Sequence, residues 1–209
     1  LDHEAGCTVL IACSQHTGHV HHSSCGLTLI ELLMVLTLAA VVLAIGAPSL
    51  GQWVRDIEVR SSAATLLNAL QTARAEALTR NTSVQLQLPD AAGRPGWQLT
   101  CVQSTARCPL TLRQLAVDTG TAVRWGAARQ GATPSFSQAI TAGAEFPASL
   151  RFDASGAAPE IAAGAGIARI DVTYDQVPET RRMVVLVSAQ GLARICDPVA
   201  SAGHPQHCH

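Results

Sequence analysis

Three hydrophobic rhythms follow one another along this chain of 209 residues. The first is a continuous apolar run, in which the 19 residues from Leu32 to Leu50 carry no charge and Leu, Val, Ala and Ile dominate. The second is a stripe: Ala63, Leu66, Leu70, Ala73 and Ala77 recur at 3,4,3,4 spacing, which predicts one apolar face of an amphipathic helix. The third is alternation. Val84, Leu86 and Leu88 interleave with Ser83, Gln85 and Gln87, the pattern of a half-buried strand, and Trp97, Leu99 and Cys101 repeat it after a Pro- and Gly-rich turn over 89–96. Further strands are expected near Leu150–Asp153, Ala168–Tyr174, Met183–Ser188 and Leu192–Cys196, with Gly126–Ala144 and Ala154–Gly166 read as loops. The expected architecture is α+β: a long amino-terminal helix, then a β-rich domain.

The apolar run approaches the ~20 residues that cross a bilayer core as a helix. Trp53 then falls at interface depth, and Arg55 and Asp56 mark the return to water. A secretory signal peptide fits less well, because the run is long and nothing basic precedes it. Pro48 removes a helix hydrogen bond near the end of the run, so a kink is expected there. Glu31 is the anomaly. A carboxylate five residues into a hydrophobic segment costs a few kcal/mol unless paired. The first arginine of the chain is Arg55, so a partner must come from another molecule.

Composition narrows the chemistry. All 14 basic residues are arginines, and no lysine is present. A P-loop, a Schiff-base enzyme or a serine–lysine hydrolase is thereby excluded. All eight histidines lie in 1–22 or 204–209, leaving none between Ser23 and Gly203 for triad or acid–base chemistry. An enzyme is not expected, nor a cofactor. Setting aside Asp2, Glu4 and Glu31, 12 of the 15 acidic residues face the 14 arginines, which is not the footprint of a dedicated nucleic-acid binder. Gly164–Arg169 resembles a dinucleotide loop but lacks the third glycine.

The segment Gly26-Leu27-Thr28-Leu29-Ile30-Glu31-Leu32-Leu33 resembles the processing site of type IV prepilins and type II secretion pseudopilins. The resemblance implies cleavage between Gly26 and Leu27 by a prepilin peptidase and N-methylation of Leu27. It makes Glu31 the fifth mature residue, facing the freed amine of a neighbouring subunit, and gives Pro48 a place in assembly. Val59–Asn81, with its Ala73-Arg74-Ala75-Glu76-Ala77 core followed by Arg80-Asn81, resembles the helix signature of the GspH/FimT-type minor pilins and pseudopilins. A pilin-like fold with antiparallel sheets is then implied. The expected organisation is a leader over 1–26, a transmembrane and filament-core helix over 27–52, its amphipathic continuation over 53–82, and a β-rich periplasmic head over 83–209. The leader carries five histidines, three cysteines and no basic residue, unlike the family's short basic leaders, and points to a misassigned or truncated start. A metal site from His16, His19, His21, His22 and Cys25 is not preferred, since ligand spacing alone is weak and a leader is discarded.

Cleavage would leave Cys101, Cys108, Cys196 and Cys208, an even set that suggests two disulfides in an oxidising compartment. Three pairings are possible. Cys101–Cys108, closing a short excursion, and Cys196–Cys208, tying down the tail, are favoured over a zinc site from Cys196, His204, His207, Cys208 and His209. In DNA-uptake members of this family a Gly-Arg-x-Arg motif lies near the carboxy terminus. Here Gly191 and Arg194 match, while Leu192 stands where the first arginine would be. Arg194 is expected to point to solvent, with Arg169, Arg181 and Arg182 able to join it on double-stranded DNA; a merely solvated strand face is preferred over that patch. The expected function is a minor pilin or pseudopilin subunit anchored in the bacterial inner membrane. Its partners would be other pilin subunits, the peptidase and the membrane, with DNA uptake as the alternative.

Overall fold

In the computed structural model, residues 28–175, 177 and 180–209 are described. Helix α1 spans Leu29–Arg80. It is followed by strands β1 (Val84–Leu88), β2 (Trp97–Cys101), β3 (Thr111–Leu115) and β4 (Val123–Arg129). A one-turn 3-10 helix at Gln130–Ala132 leads towards β5 (Ala148–Phe152), then the short helix α2 (Pro159–Ala162), β6 (Ile167–Tyr174), β7 (Met183–Val187) and β8 (Ala193–Cys196). The chain divides into two compact units, the first ending at Ile45 and the second running from Gly46 to His209.

In the first unit, α1 leaves its apolar side chains bare. Leu29, Ile30, Leu32, Leu33, Met34, Val35, Leu36, Leu38, Val41, Val42 and Leu43 are all more than half exposed. Taken separately on either side of 45–48, Leu29–Ala44 and Ser49–Arg80 are not long and apolar enough to cross a membrane; only as a pair do they meet that test. The side chain of Pro48, on which a kink was expected, lies outside the described residues.

In the second unit, the 3,4 stripe does what its spacing dictates. Ala63, Leu66, Leu70, Ala73 and Ala77 are buried, and Val59 extends the stripe. Small residues let the helix approach the strands closely, where Val84, Leu86, Leu88, Leu99, Phe152, Ile170, Val172 and Val185 join it in one core. Trp125 completes this core, its indole N–H donating to the Ser62 hydroxyl at 2.9 Å. A buried indole is rarely left without such a partner. The helix stops where Asn81 takes a left-handed conformation, φ 51°, a role that Asn tolerates better than most residues.

The strands form two four-stranded antiparallel sheets, ordered β3-β2-β1-β5 and β4-β6-β7-β8. Strands β1, β2, β5, β6, β7 and β8 lie close to the stretches expected as strands. Strands β3 and β4 carry no such signal. β3 is exposed over most of its length, so no alternation marks it. β4 overlaps the stretch from Gly126 read as loop, and that reading is corrected. Its Gly126-Ala127-Ala128 looks like a linker in isolation, yet it pairs with β6 from Val123 to Arg129. A side chain at 126 would meet the Thr141 carbonyl at 2.3 Å, so the glycine serves a loop lying directly over the strand.

Candidate functional site

At the amino-terminal motif, Gly26 and Leu27 lie outside the described residues. The helix begins immediately after them. The Thr28 carbonyl accepts the Leu32 N–H at 3.1 Å, and the Thr28 hydroxyl accepts the Glu31 N–H at 3.3 Å. Thr28 is therefore the helix cap and Glu31 the third residue in, the S/T-x-x-E arrangement of a capping box. The same signal is written in the sequence as Thr28-Leu29-Ile30-Glu31. It fixes the Glu31 backbone in the first helical turn, where the helix dipole favours a negative charge. The Glu31 side chain is exposed.

The arginines are distributed differently from an open patch, and this corrects the expectation that Arg169, Arg181 and Arg182 join Arg194 at the surface. Arg169 and Asp171 alternate outward from β6 but are buried, with relative exposures of 1% and 0%. Arg169 donates through Nε and Nη2 to the Asp171 carboxylate at 2.7 and 3.0 Å. Its remaining donors go to the carbonyls of Pro134, Ser135 and Gln138. Arg182, entering β7, bonds the same Asp171 carboxylate and the carbonyls of Phe136 and Gln138. Asp171 also accepts the Ile140 N–H at 3.0 Å. Two guanidiniums and one carboxylate thus consume the polar backbone of the loop after β4 and bind it to the outer face of the second sheet. The physical reason is satisfaction: an arginine offers five donors, and the buried Arg169 finds acceptors for them in the Asp171 carboxylate and the loop's carbonyls. The Phe136 ring lies under the Arg169 guanidinium, 5.0 Å from ring centre to Cζ. Arg181 is held elsewhere, ion-paired to the buried Asp197, while its backbone N–H donates to Asp56 on α1 at 3.0 Å.

Arg194 is the arginine of this group that remains exposed. Its guanidinium reaches His209, donating to the main-chain oxygen and lying 3.2 Å from Nε2. Gly191, two residues before β8, has φ +73°, and a Cβ there would fall 2.0 Å from the Gly156 carbonyl. This glycine is required by a close backbone approach.

The cysteines pair as Cys101–Cys108 and Cys196–Cys208, with Cα–Cα separations of 5.9 and 5.1 Å. The second bond brings Cys208 onto the outer face of the second sheet, where it packs with Val184, Cys196, Phe136 and Leu186. The thiolates that a zinc site would need are thereby engaged, and among the described residues no group of three or more His, Cys, Asp or Glu is gathered for a metal. Between the loop after β4 and the β7–β8 turn lies an open groove of about 610 Å³, reached by Phe136, Leu186, Gln190, Leu192 and Arg194.

A capped apolar helix whose later turns pack against two antiparallel sheets, with disulfides in the strand-bearing region, defines a pilin-like subunit. The comparisons place it more closely. The family model described as Type II transport protein GspH matches residues 62–191, and the chain belongs to that family of minor pilins and pseudopilins. A second model, the prokaryotic N-terminal methylation motif, matches residues 21–47. Among solved structures the chain is similar to the type IV minor pilin FimU of Pseudomonas aeruginosa, with 22% identity, covering 73% of this chain and 96% of that one at a TM-score of 0.43. It is also similar to the minor pseudopilin EpsH from the Type 2 Secretion System of Vibrio cholerae, with 11% identity, covering 68% and 99% at a TM-score of 0.46. No curated protein matches the chain.

Proposed function

We propose that this protein is a minor subunit of a type IV pilus or type II secretion pseudopilus. It would be cut between Gly26 and Leu27 by prepilin peptidase, methylated at Leu27, held in the inner membrane by 27–52 and extracted into the filament with its head on the periplasmic side. The supporting observation is Glu31: a carboxylate in the first turn of a helix whose flanking side chains are bare and apolar, within the stretch that matches the methylation motif. A neighbouring subunit's amine answers that charge, and in low dielectric a half-made pair is costly enough to set register. In this reading the head is a recognition surface for neighbouring subunits, and no chemical step is carried out by it.

Replacing Glu31 with Leu tests the assignment. Membrane insertion should persist while the subunit disappears from sheared filaments; normal filament content of the Glu31→Leu protein would overturn it. The DNA-uptake alternative now rests on Arg194, with Arg169 and Arg182 committed to the loop. A phosphate contact of that kind gives binding to a duplex that falls steeply with salt.

A further inference from the structure

The head carries two features that match each other and cannot meet within one chain. The first is a groove of about 360 Å³, lined by Ile57 and Glu58 from α1 and by Leu115 and Asp118 from the end of β3 and the segment after it. Ile57 and Leu115 are both exposed, so the groove opens on bare apolar surface. Its charged lining is wholly acidic: Glu58 and Asp118, and no arginine. Neither carboxylate has an ion-pair partner among the described residues, and Asp118 accepts the Gly120 N–H at 2.9 Å. Arg55, nearly one turn before Glu58, is turned the other way, its Nη1 lying 3.4 Å from where a Cβ on Gly51 would stand.

The second feature is the hairpin between β2 and β3. Residues 102–107 are all exposed. Cys101–Cys108 closes the hairpin, and the Thr105 and Cys108 backbones bond each other within it at 2.9 and 3.1 Å. It presents Arg107 with exposed apolar side chains to either side in sequence, Val102 and the 66% exposed Leu110. At its base Arg80 of α1 donates to the Arg107 carbonyl and is itself paired with Glu76, so Arg107 is the charge left over. A loop already held in one conformation loses little freedom on docking, and that saving appears as affinity.

Groove and hairpin stand at opposite ends of β3. Leu110 precedes the strand and Leu115 ends it, about 17 Å apart at the rise of a strand, so Arg107 does not reach the acids of its own chain. A second copy supplies what each patch lacks: an arginine flanked by apolar groups for an apolar groove with two acids. Because the two patches differ, the contact is heterologous. Docking one hairpin leaves a groove open on one copy and a hairpin bare on the other, so the contact propagates.

We propose that the hairpin of one head docks in the α1–β3 groove of a second copy of this chain, with Arg107 on Glu58 and Asp118, and Val102 and Leu110 against Ile57 and Leu115. The contact gives the head's role in the proposed filament a partner and rests on that reading. Neither patch involves Glu31, so the two fail separately.

The experiment follows full chains in detergent micelles by sedimentation velocity over a concentration series. Two charge-reversed variants accompany the unmodified chain: Glu58→Arg with Asp118→Arg, and Arg107→Glu. The unmodified chain should grow past a dimer as concentration rises, and added salt should oppose that growth by screening exposed charges. Each variant alone should associate about ten-fold more weakly, since an ion pair has become a like-charge pair. Mixed in equal amounts, the variants should recover the unmodified behaviour, because every groove then meets a hairpin of opposite sign. An unmodified chain that stays monomeric or stops at a dimer overturns the proposal, as does a mixture that associates no better than its parts. Glu31→Leu should leave the series unchanged; a loss there assigns the association to the helix and overturns the docking of heads.

Discussion

The two sheets of the head solve the problem of their outer faces in opposite ways. The first sheet leaves its face to water. Its register sets Ser149, Gln87, Gln98 and Gln114 in one row across four strands, and Arg151, Gln85, Thr100 and Thr111 in the next. These are short-range, mostly uncharged groups whose bonds are local, such as Gln98 Nε2 to the Thr111 hydroxyl at 3.2 Å. The second sheet covers its face, with the loop after β4 on one side and the disulfide-tied tail on the other, and it buries an arginine and an aspartate to do so. An open polar face costs nothing to desolvate and organises nothing. A covered one takes on the desolvation of charges in exchange for a loop held in one conformation, and that is the face with a groove.

The contrast breaks first at Asp171. Asp171→Asn leaves Arg169 buried without a carboxylate and should destabilise the head by about 3–5 kcal/mol, read by urea denaturation with tryptophan fluorescence. Replacing Arg169 and Asp171 together with apolar residues should cost less than Asp171→Asn alone, because no uncompensated charge then remains. Gln87→Ala, the corresponding change on the open sheet, should fall within about 0.5 kcal/mol of the unmodified protein. If Asp171→Asn and Gln87→Ala were equally mild, the two faces would not differ as described.

The tail comes next in size. Removing Cys196–Cys208, which closes a separation of 12 residues, should cost about 3 kcal/mol, and Cys101–Cys108, with a separation of 7, somewhat less. Only the first should alter the Leu186 methyl resonances, which distinguishes the covered face from the open one.

The smallest effect is in the β1–β2 turn, on the first sheet's side. The Arg94 guanidinium, hydrogen-bonded to Asp90, holds that carboxyl at about 2, below its ordinary 3.8. A depressed carboxyl contributes stability that is complete above its unfolded value and is lost as pH falls through the folded one. The head should therefore weaken between about pH 4 and pH 2, and Asp90→Asn should flatten that part of the profile. An unchanged acid limb in Asp90→Asn would mean that Arg94 does not stabilise the turn.

Much of this was legible in the residues. The spacing from Ala63 to Ala77 states which helix face is buried whatever it packs against, because 3.6 residues per turn leaves no other choice. Alternation from Val84 to Leu88 does the same for a strand. The strands lost to view were those whose pairing outweighs their own preference. Val123–Arg129 is a strand because β6 lies beside it and Thr141 lies over Gly126. Thr111–Leu115 buries too little to show a pattern.

The arginines mark the same boundary from the functional side. Sequence alone determined that this chain has a guanidinium chemistry and no amine or central imidazole, and it placed Gly26, Leu27 and Glu31 in a local motif that needs no distant contact to be recognised. It could not separate Arg169 from Arg194, since both sit outward on strands in similar surroundings. Tertiary structure decided between them. A loop returning more than 30 residues earlier in the chain covers one and leaves the other in water, and burial is a property of what arrives from elsewhere.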